Sequence, residues 1–101
     1  MCTFMNIVDF GMNIQQAIEA PRWTTRSFPA SPFPHTMYPG DLSFENRIPA
    51  SVKDELTKRG HKVEMKAPWS MNSSAGIMVD IAKGTVSAGA DPRTAAVALA
   101  W

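Results

Sequence analysis

The most recognisable chemical pattern in this sequence is Asp9-Phe10-Gly11, followed downstream by Glu19-Ala20-Pro21. The same triplet holds magnesium in protein kinases, where an acidic Ala-Pro-Glu segment follows it. A kinase also needs a strand lysine, a glycine-rich loop over the phosphates and a catalytic loop upstream of the triplet. No lysine, glycine or histidine precedes Asp9, and the sequence has no G-x-G-x-x-G. We therefore predict that Asp9 and Gly11 end one apolar helix and that the next begins in the residues from Met12 onward.

A second group of polar residues lies near the other end of the sequence. Asp91 and Arg93 flank Pro92, which restricts the backbone between them. We predict a structural ion pair or turn cap for them, because such networks are commoner than catalytic pairs. The polar triplet Asn72-Ser73-Ser74 could donate hydrogen bonds to a substrate, although bonding within a turn is the commoner use of these residue types.

Cys2 is the single cysteine, which excludes an intramolecular disulfide and a thiolate metal cluster. Removal of Met1 would make Cys2 an N-terminal residue, and such a residue can act as a nucleophile. Its surroundings, CTFMN, instead resemble a helix interior, where a lone cysteine is usually a buried apolar residue. His35 and His61 lack a second ligand at helical spacing. We predict no metal and no cofactor.

Composition excludes several classes of protein. Apolar residues make up 45% of the 101 residues, enough for a core in one domain or a piece of a larger one. The net charge of +1 gives no reason to expect nucleic acid or an acidic membrane as partner. No apolar run approaches the roughly 18 residues of a membrane-spanning helix. Residues 1–10 lack the pattern of a signal peptide. Because they are apolar from the start, we expect the chain to begin inside a helix or strand, as a fragment or a processed product would.

Two helices are predicted before the first proline. The first has the apolar spacing of a buried helix, at Phe4, Met5, Ile7 and Val8. The second begins at the N-cap Asn13 and carries one apolar stripe, Ile14, Ala17 and Ile18. Gly11 separates the two helices, and Pro21 ends the second because it disfavours a helical residue before it.

The remaining elements are predicted to form an α+β fold. Residues 27–40 hold four of the eight prolines and read as an ordered loop lying across a surface, held by its aromatics; a proline-rich ligand for a recognition domain is the weaker alternative. A strand is predicted over 41–46, a helix from 49 to 59 and a strand over 61–67. A hairpin with its turn at Lys83-Gly84 follows, and Ile77-Met78-Val79 reads as a strand buried on both faces.

The string NIVDFGMNIQQAIEAPRW resembles the C-terminal region of the gamma-glutamyltranspeptidase family, a branch of the N-terminal-nucleophile hydrolases. The family features continue in order over essentially the whole chain. They are Glu45 at a strand end, Val52 and Leu56 on a helix, Gly60-His61-x-Val63, Gly89-Ala90-Asp91-Pro92-Arg93, and the aromatic Trp101.

The resemblance implies that residues 1–101 are the C-terminal segment of a small subunit. The fold would be the C-terminal portion of an αββα four-layer sandwich, incomplete on its own. Its partner would be the upstream half of the same precursor, which cuts itself to expose an N-terminal threonine nucleophile. The substrate would be a γ-glutamyl amide such as glutathione, with transfer to water, an amino acid or a peptide. The nucleophile and the oxyanion glycines lie upstream in the family, so no catalytic residue is assigned to this chain, and Asp91, Arg93, Gly11 and Pro21 are given structural roles.

Departures from the family pattern leave alternatives open. Ala95 and Ala96 replace an Asp-Gly pair after Arg93, and Ala100 precedes Trp101. The loop over 27–40 is longer than in glutathione-cleaving bacterial members. Both features favour a related amidase or acylase with a different acyl group, and a non-catalytic structural or binding module is a further alternative. The resemblance implies a periplasmic or secreted parent, with a cytoplasmic one also open.

Overall fold

The computed structural model describes residues 1–99, which form three helices and five strands in two compact units. One unit contains residues 1–20 and the chain from residue 72 onward, and the other contains residues 21–71. In chain order the elements are α1 (Cys2–Val8), α2 (Ile14–Glu19), β1 (Trp23–Thr25), β2 (Asp41–Glu45), α3 (Ala50–Lys58), β3 (Lys62–Lys66), β4 (Ala75–Asp80) and β5 (Thr85–Ala90). The predicted mixture of helices and strands is confirmed. Ala100 and the aromatic terminus Trp101 lie outside the described residues.

Helix α2 begins and ends at the residues that the sequence predicts. The Asn13 side chain accepts a hydrogen bond from the Gln16 backbone nitrogen at 2.9 Å, and the Gln16 side chain accepts one from the Asn13 nitrogen at 3.2 Å. This reciprocal capping box satisfies two of the amides that a helix start leaves without partners. At the other end Ala20 is already extended before Pro21, as the restriction on residues preceding proline requires.

In the first unit, α2 packs closely against the antiparallel hairpin β4–β5. Gly76 and Gly89 lie opposite each other in the two strands. A Cβ atom at Gly89 would stand 2.8 Å from Ile18 Cδ1, and one at Gly76 would stand 2.9 Å from Ile14 Cδ1. The absence of side chains at both positions therefore lets the apolar stripe of α2, which is buried as predicted, reach the sheet.

In the second unit, the central strand β2 pairs antiparallel with β1 and parallel with β3. Helix α3 connects the two parallel strands. The predicted alternation of buried and exposed residues in β2 is wrong, because Leu42 and Phe44 are buried and so are Ser43 and Glu45. The face of β2 that carries Glu45 is covered as well, because its carboxylate contacts the backbone at Arg22 and Met71. Strand β1 was not predicted from the sequence.

Three groups of apolar side chains that the sequence predicts to need a covering surface are exposed among the described residues. Helix α1 forms, but Phe4 and Val8 are exposed. Strand β4 forms, but Ile77 is 72% exposed, because the sheet of this unit has two strands and α2 covers the face that carries the glycines. The loop over 27–40 has no helix or strand, as predicted, but its aromatic residues Phe28 and Phe33 are exposed rather than held on a surface.

We expect residues 1–101 expressed alone to aggregate, dimerise or remain molten. The exposed apolar side chains of α1 and β4, with the open edges of a two-stranded sheet, favour association. Co-expression with the upstream half of the precursor that the resemblance implies should restore a soluble species. A monomer with a well-dispersed proton–nitrogen NMR spectrum and a cooperative melt would contradict this expectation and favour an independent module.

Candidate functional site

Asp91 and Arg93 form a buried ion pair in the first unit. Asp91 is 1% exposed, and its Oδ1 atom lies 3.0 Å from Arg93 Nη1. Oδ1 also accepts the Arg93 backbone N–H at 3.0 Å, and Oδ2 accepts the Ser74 N–H at 2.8 Å. The carboxylate therefore joins the residue that precedes β4 to the segment that follows β5.

The Arg93 guanidinium extends this connection to helix α2. It donates from Nη1 to the Ile18 carbonyl and from Nη2 to the Ala20 carbonyl, each at 3.1 Å. Cations near a helix C-terminus compensate the carbonyl groups that lack intrahelical partners. The side chain of Gln15 adds a second connection, because it donates to the Ala90 carbonyl at 2.9 Å and accepts the Ala90 N–H at 3.0 Å. These contacts fit the structural role assigned to Asp91 and Arg93, which stays a prediction.

A second buried carboxylate lies in the other unit. Glu45, at the end of β2, is fully buried. Its Oε2 atom accepts the Arg22 backbone N–H at 3.3 Å and lies 3.6 Å from Arg47 Nη1, while Oε1 accepts the Met71 N–H at 3.5 Å. Glu45 therefore ties the segments before β1 and after β3 to the central strand.

Arg47 also stacks on an aromatic ring. Its guanidinium carbon lies 3.4 Å from the centre of the Trp69 ring. Trp69 has a positive φ of 57°, which is rare for a large side chain. The sequence marked Glu45 only as a family feature, and it gave no signal for the contacts of Arg47 and Trp69. An acidic residue that directly follows the apolar pattern of a strand is the one signal that could have found this cluster.

The other candidates from the sequence lie in α1 or at the joint between α1 and α2. Asp9 follows the last turn of α1, and Gly11 adopts a positive φ of 64° between the helices, as predicted for a joint. Cys2 is the first residue of α1, which is a helical position and not the strand start that an N-terminal nucleophile of the resembled fold requires. Within residues 1–99, no group of three or more potential ligand residues could hold a metal ion, and no helix is long and apolar enough to cross a membrane.

The pH dependence of the second unit should include a contribution from Asp41. The Arg26 guanidinium donates to both carboxylate oxygens of Asp41, at 2.9 and 3.1 Å. This hydrogen bonding, with the attraction between the charges, holds the pKa of Asp41 below its usual value despite partial desolvation. A lowered pKa stabilises the fold above the unfolded pKa of about 3.9, and that contribution is lost as the pH falls through the folded pKa.

We therefore expect Arg26→Met to lower the urea midpoint more at pH 7 than at pH 3, because only part of the contribution remains below the unfolded pKa of Asp41. Urea unfolding of the assembled protein at both pH values measures this difference. Arg59→Met is the matched control, because Arg59 pairs with Glu55 on the exposed face of α3. An equal loss of stability at both pH values would show that the packing of Arg26, and not its charge, matters.

Chemically, both buried carboxylates are engaged with backbone amides and guanidinium groups. Such an arrangement fixes chain segments in place, and it resembles the interior support of a site more than a site that binds a substrate. The polar triplet lies next to these contacts, since Ser74 donates its N–H to Asp91. Within residues 1–99, these contacts therefore hold segments of the chain itself in place.

The family model described as Gamma-glutamyltranspeptidase matches residues 1–101. The chain belongs to this family. Among curated relatives, the acylase ACY 1 proenzyme of Pseudomonas sp. (strain V22) is 39% identical over 59 residues, which are 58% of this chain and 8% of the proenzyme. The chain therefore spans only a small part of the length of the curated relatives that it matches.

Solved structures of gamma-glutamyltranspeptidases and acylases resemble this fold. The cephalosporin acylase of Bacillus halodurans has a TM-score of 0.74 and 28% identity, over 93% of this chain and 16% of that one. A gamma-glutamyltranspeptidase mutant of Helicobacter pylori has a TM-score of 0.66 and 28% identity, over 92% of this chain and 45% of that one. The resemblance to the gamma-glutamyltranspeptidase family is thus confirmed, and these relatives are larger chains.

Proposed function

We propose that this chain is the C-terminal segment of the small subunit of an amide-cleaving enzyme of the gamma-glutamyltranspeptidase family. The family match over all 101 residues carries this proposal. The parent protein would be a precursor that cuts itself, and the chain would complete a four-layer sandwich begun by upstream segments. Glu45 and Asp91 would hold the connections between its strands.

The reaction proposed for the parent is acyl transfer by an N-terminal threonine upstream of this chain. The threonine hydroxyl oxygen attacks the amide carbonyl carbon, and its proton passes to the threonine α-amine. Two backbone glycine N–H groups stabilise the oxyanion that forms. The C–N bond then breaks, the leaving amine takes the proton, and water or an amino group attacks the resulting ester. A γ-glutamyl amide such as glutathione is the substrate that the family suggests.

A second candidate is an acylase that accepts a different acyl group. The curated relative is an acylase proenzyme, and the cephalosporin acylase structure fits this chain with a higher TM-score than the Helicobacter pylori transpeptidase at the same identity. The replacement of Asp-Gly by Ala95 and Ala96 supports the same candidate. The two candidates differ in whether the enzyme recognises the α-amino group of a glutamyl substrate.

We expect residues 1–101 alone to release no p-nitroaniline from γ-glutamyl-p-nitroanilide, because the proposed nucleophile and oxyanion donors lie upstream. The full-length precursor should cut itself and hydrolyse either this substrate or glutaryl-p-nitroanilide, which lacks the α-amino group. A preference for the γ-glutamyl compound indicates a transpeptidase, and a preference for the glutaryl compound indicates an acylase. Activity of the chain alone that is abolished by Cys2→Ala would overturn the proposal and assign the nucleophile to Cys2.

A full-length precursor that neither cuts itself nor hydrolyses an amide would favour the non-catalytic module. The sequence upstream gives a simpler check. A Thr-Thr or Thr-Ser cleavage site and a Gly-Gly pair should precede this segment if the proposal is correct.

A further inference from the structure

Three aromatic residues of the loop over residues 27–40 each stand immediately before a proline. These steps are Phe28-Pro29, Phe33-Pro34 and Tyr38-Pro39, and they recur every five residues. The three rings are 75%, 89% and 49% exposed, respectively. The segment from 27 to 40 contains no aspartate, glutamate, lysine or arginine. We call this segment the aromatic–proline loop.

Backbone hydrogen bonds fold the aromatic–proline loop and join it to Arg26. Tyr38 donates its backbone N–H to the Arg26 carbonyl at 2.7 Å, and the Ala30 N–H bonds to the Thr36 carbonyl at 3.1 Å. The Arg26 guanidinium lies 4.4 Å from the centre of the Tyr38 ring while it pairs with Asp41. Proline also restricts both itself and the residue before it. The rings are thus displayed on an ordered backbone.

This combination has the chemistry of the central part of a protein–protein interface. Such regions are rich in aromatic residues and methionine and poor in charge, and Met37 is a further exposed apolar side chain in the loop. A backbone that is already ordered lowers the entropy cost of binding. Exposed apolar clusters on the surface of a folded protein usually mark a site that binds a partner.

We propose that the aromatic–proline loop docks onto an apolar surface of the part of the same polypeptide that lies outside these 101 residues. This inference rests on the proposed function, in which the chain is one segment of a larger enzyme. The chain covers 16% of the cephalosporin acylase and 8% of the acylase proenzyme, so most of the polypeptide of these relatives lies outside it. Because the loop has no Asp, Glu, Lys or Arg, it gives no reason to expect a partner that binds through opposite charge.

A proline-recognition domain fits the loop less well. Such domains bind an extended polyproline helix, whereas the His35 N–H bonds to the Pro32 carbonyl at 2.8 Å and makes a turn there. A basic residue that could flank such a ligand, Arg26, is engaged with Asp41 and Tyr38. The docking partner is therefore a surface that the loop contacts in its folded conformation.

Cysteine labelling of the full-length protein tests the docking. In a Cys2→Ser background, Ser31→Cys places a small reporter inside the loop, and Ser51→Cys places the same substitution on the exposed first turn of α3. Each is labelled with a maleimide in the native protein and in urea. Docking predicts that the native-to-urea labelling ratio at residue 31 is at least about tenfold lower than at residue 51, since labelling then requires local opening. Adding Phe28→Ser and Phe33→Ser should bring the two ratios together.

Equal ratios for the two reporters in the folded protein would overturn the inference. Protection at residue 31 that appears only as protein concentration rises would overturn it in favour of a second copy. Amide cleavage by the same preparation tests the proposed function separately. Protection without activity supports the docking and contradicts the proposed enzymatic function. Activity without protection supports the enzymatic function and contradicts the docking.

Discussion

Replacing Asp91 with alanine is expected to lower the free energy of unfolding of the assembled protein by about 3–5 kcal/mol, the usual effect of breaking a buried ion pair. The change removes a carboxylate partner of Arg93 and the acceptor of two backbone N–H groups, those of Ser74 and Arg93. Both side chains of the pair are buried, so water cannot replace these bonds without opening the structure. Urea unfolding of the full-length protein measures the loss, and substrate preference should not change.

Asp80→Ala is the matched control for this prediction. Asp80 ends β4, whereas Asp91 directly follows β5 of the same hairpin. Asp80 also pairs with a cation, Lys83, but that pair is exposed and should contribute little. Arg93→Met should reproduce most of the effect of Asp91→Ala, because it removes the same pair and the contacts with the end of α2. A normal melting temperature with a collapsed kcat in Asp91→Ala would instead place Asp91 in the active site.

The parts of the fold that were predicted correctly depend on residues close together in the sequence. The predicted N-cap Asn13 accepts a hydrogen bond from Gln16, three residues away, and the predicted hairpin turn has a positive φ at Gly84. The parallel strands flank α3, whose charged last turn and following Gly60 mark its end. In each case, the signal and the structure that it forms lie within a few residues.

The features that were missed depend on contacts across long stretches of the chain. Strand β1 is three residues long, and its register with β2, from Trp23 opposite Phe44, places it in the sheet. The burial of Glu45 likewise depends on distant segments, since its carboxylate accepts the backbone N–H groups of Arg22 and Met71. Conversely, Ile77 has the sequence of a core residue but is exposed among residues 1–99. Burial is a property of the whole assembly, and local patterns predict only which side chains could be buried.

Replacing Glu45 with alanine is expected to lower the free energy of unfolding by about 2–3 kcal/mol, the cost of leaving buried donors without an acceptor. Glu45 is fully buried, whereas the partner side chain Arg47 is 26% exposed and can be partly hydrated. The loss should therefore be smaller than that for Asp91, where both partners are buried. Removal of the carboxylate should also loosen the segment around Met71, whose N–H it accepts.

Two further variants separate the possible reasons for such a loss. Glu45→Gln keeps the size of the side chain and one carbonyl acceptor but removes the charge, so it should recover part of the stability. Glu64→Ala removes an exposed carboxylate from the neighbouring strand and should change stability little, although Lys66 holds the pKa of Glu64 below its usual value. Urea unfolding, with hydrogen exchange of the Met71 amide, measures both effects. Unchanged stability in Glu45→Ala, together with a large fall in kcat/KM, would show that Glu45 serves the reaction and not the fold.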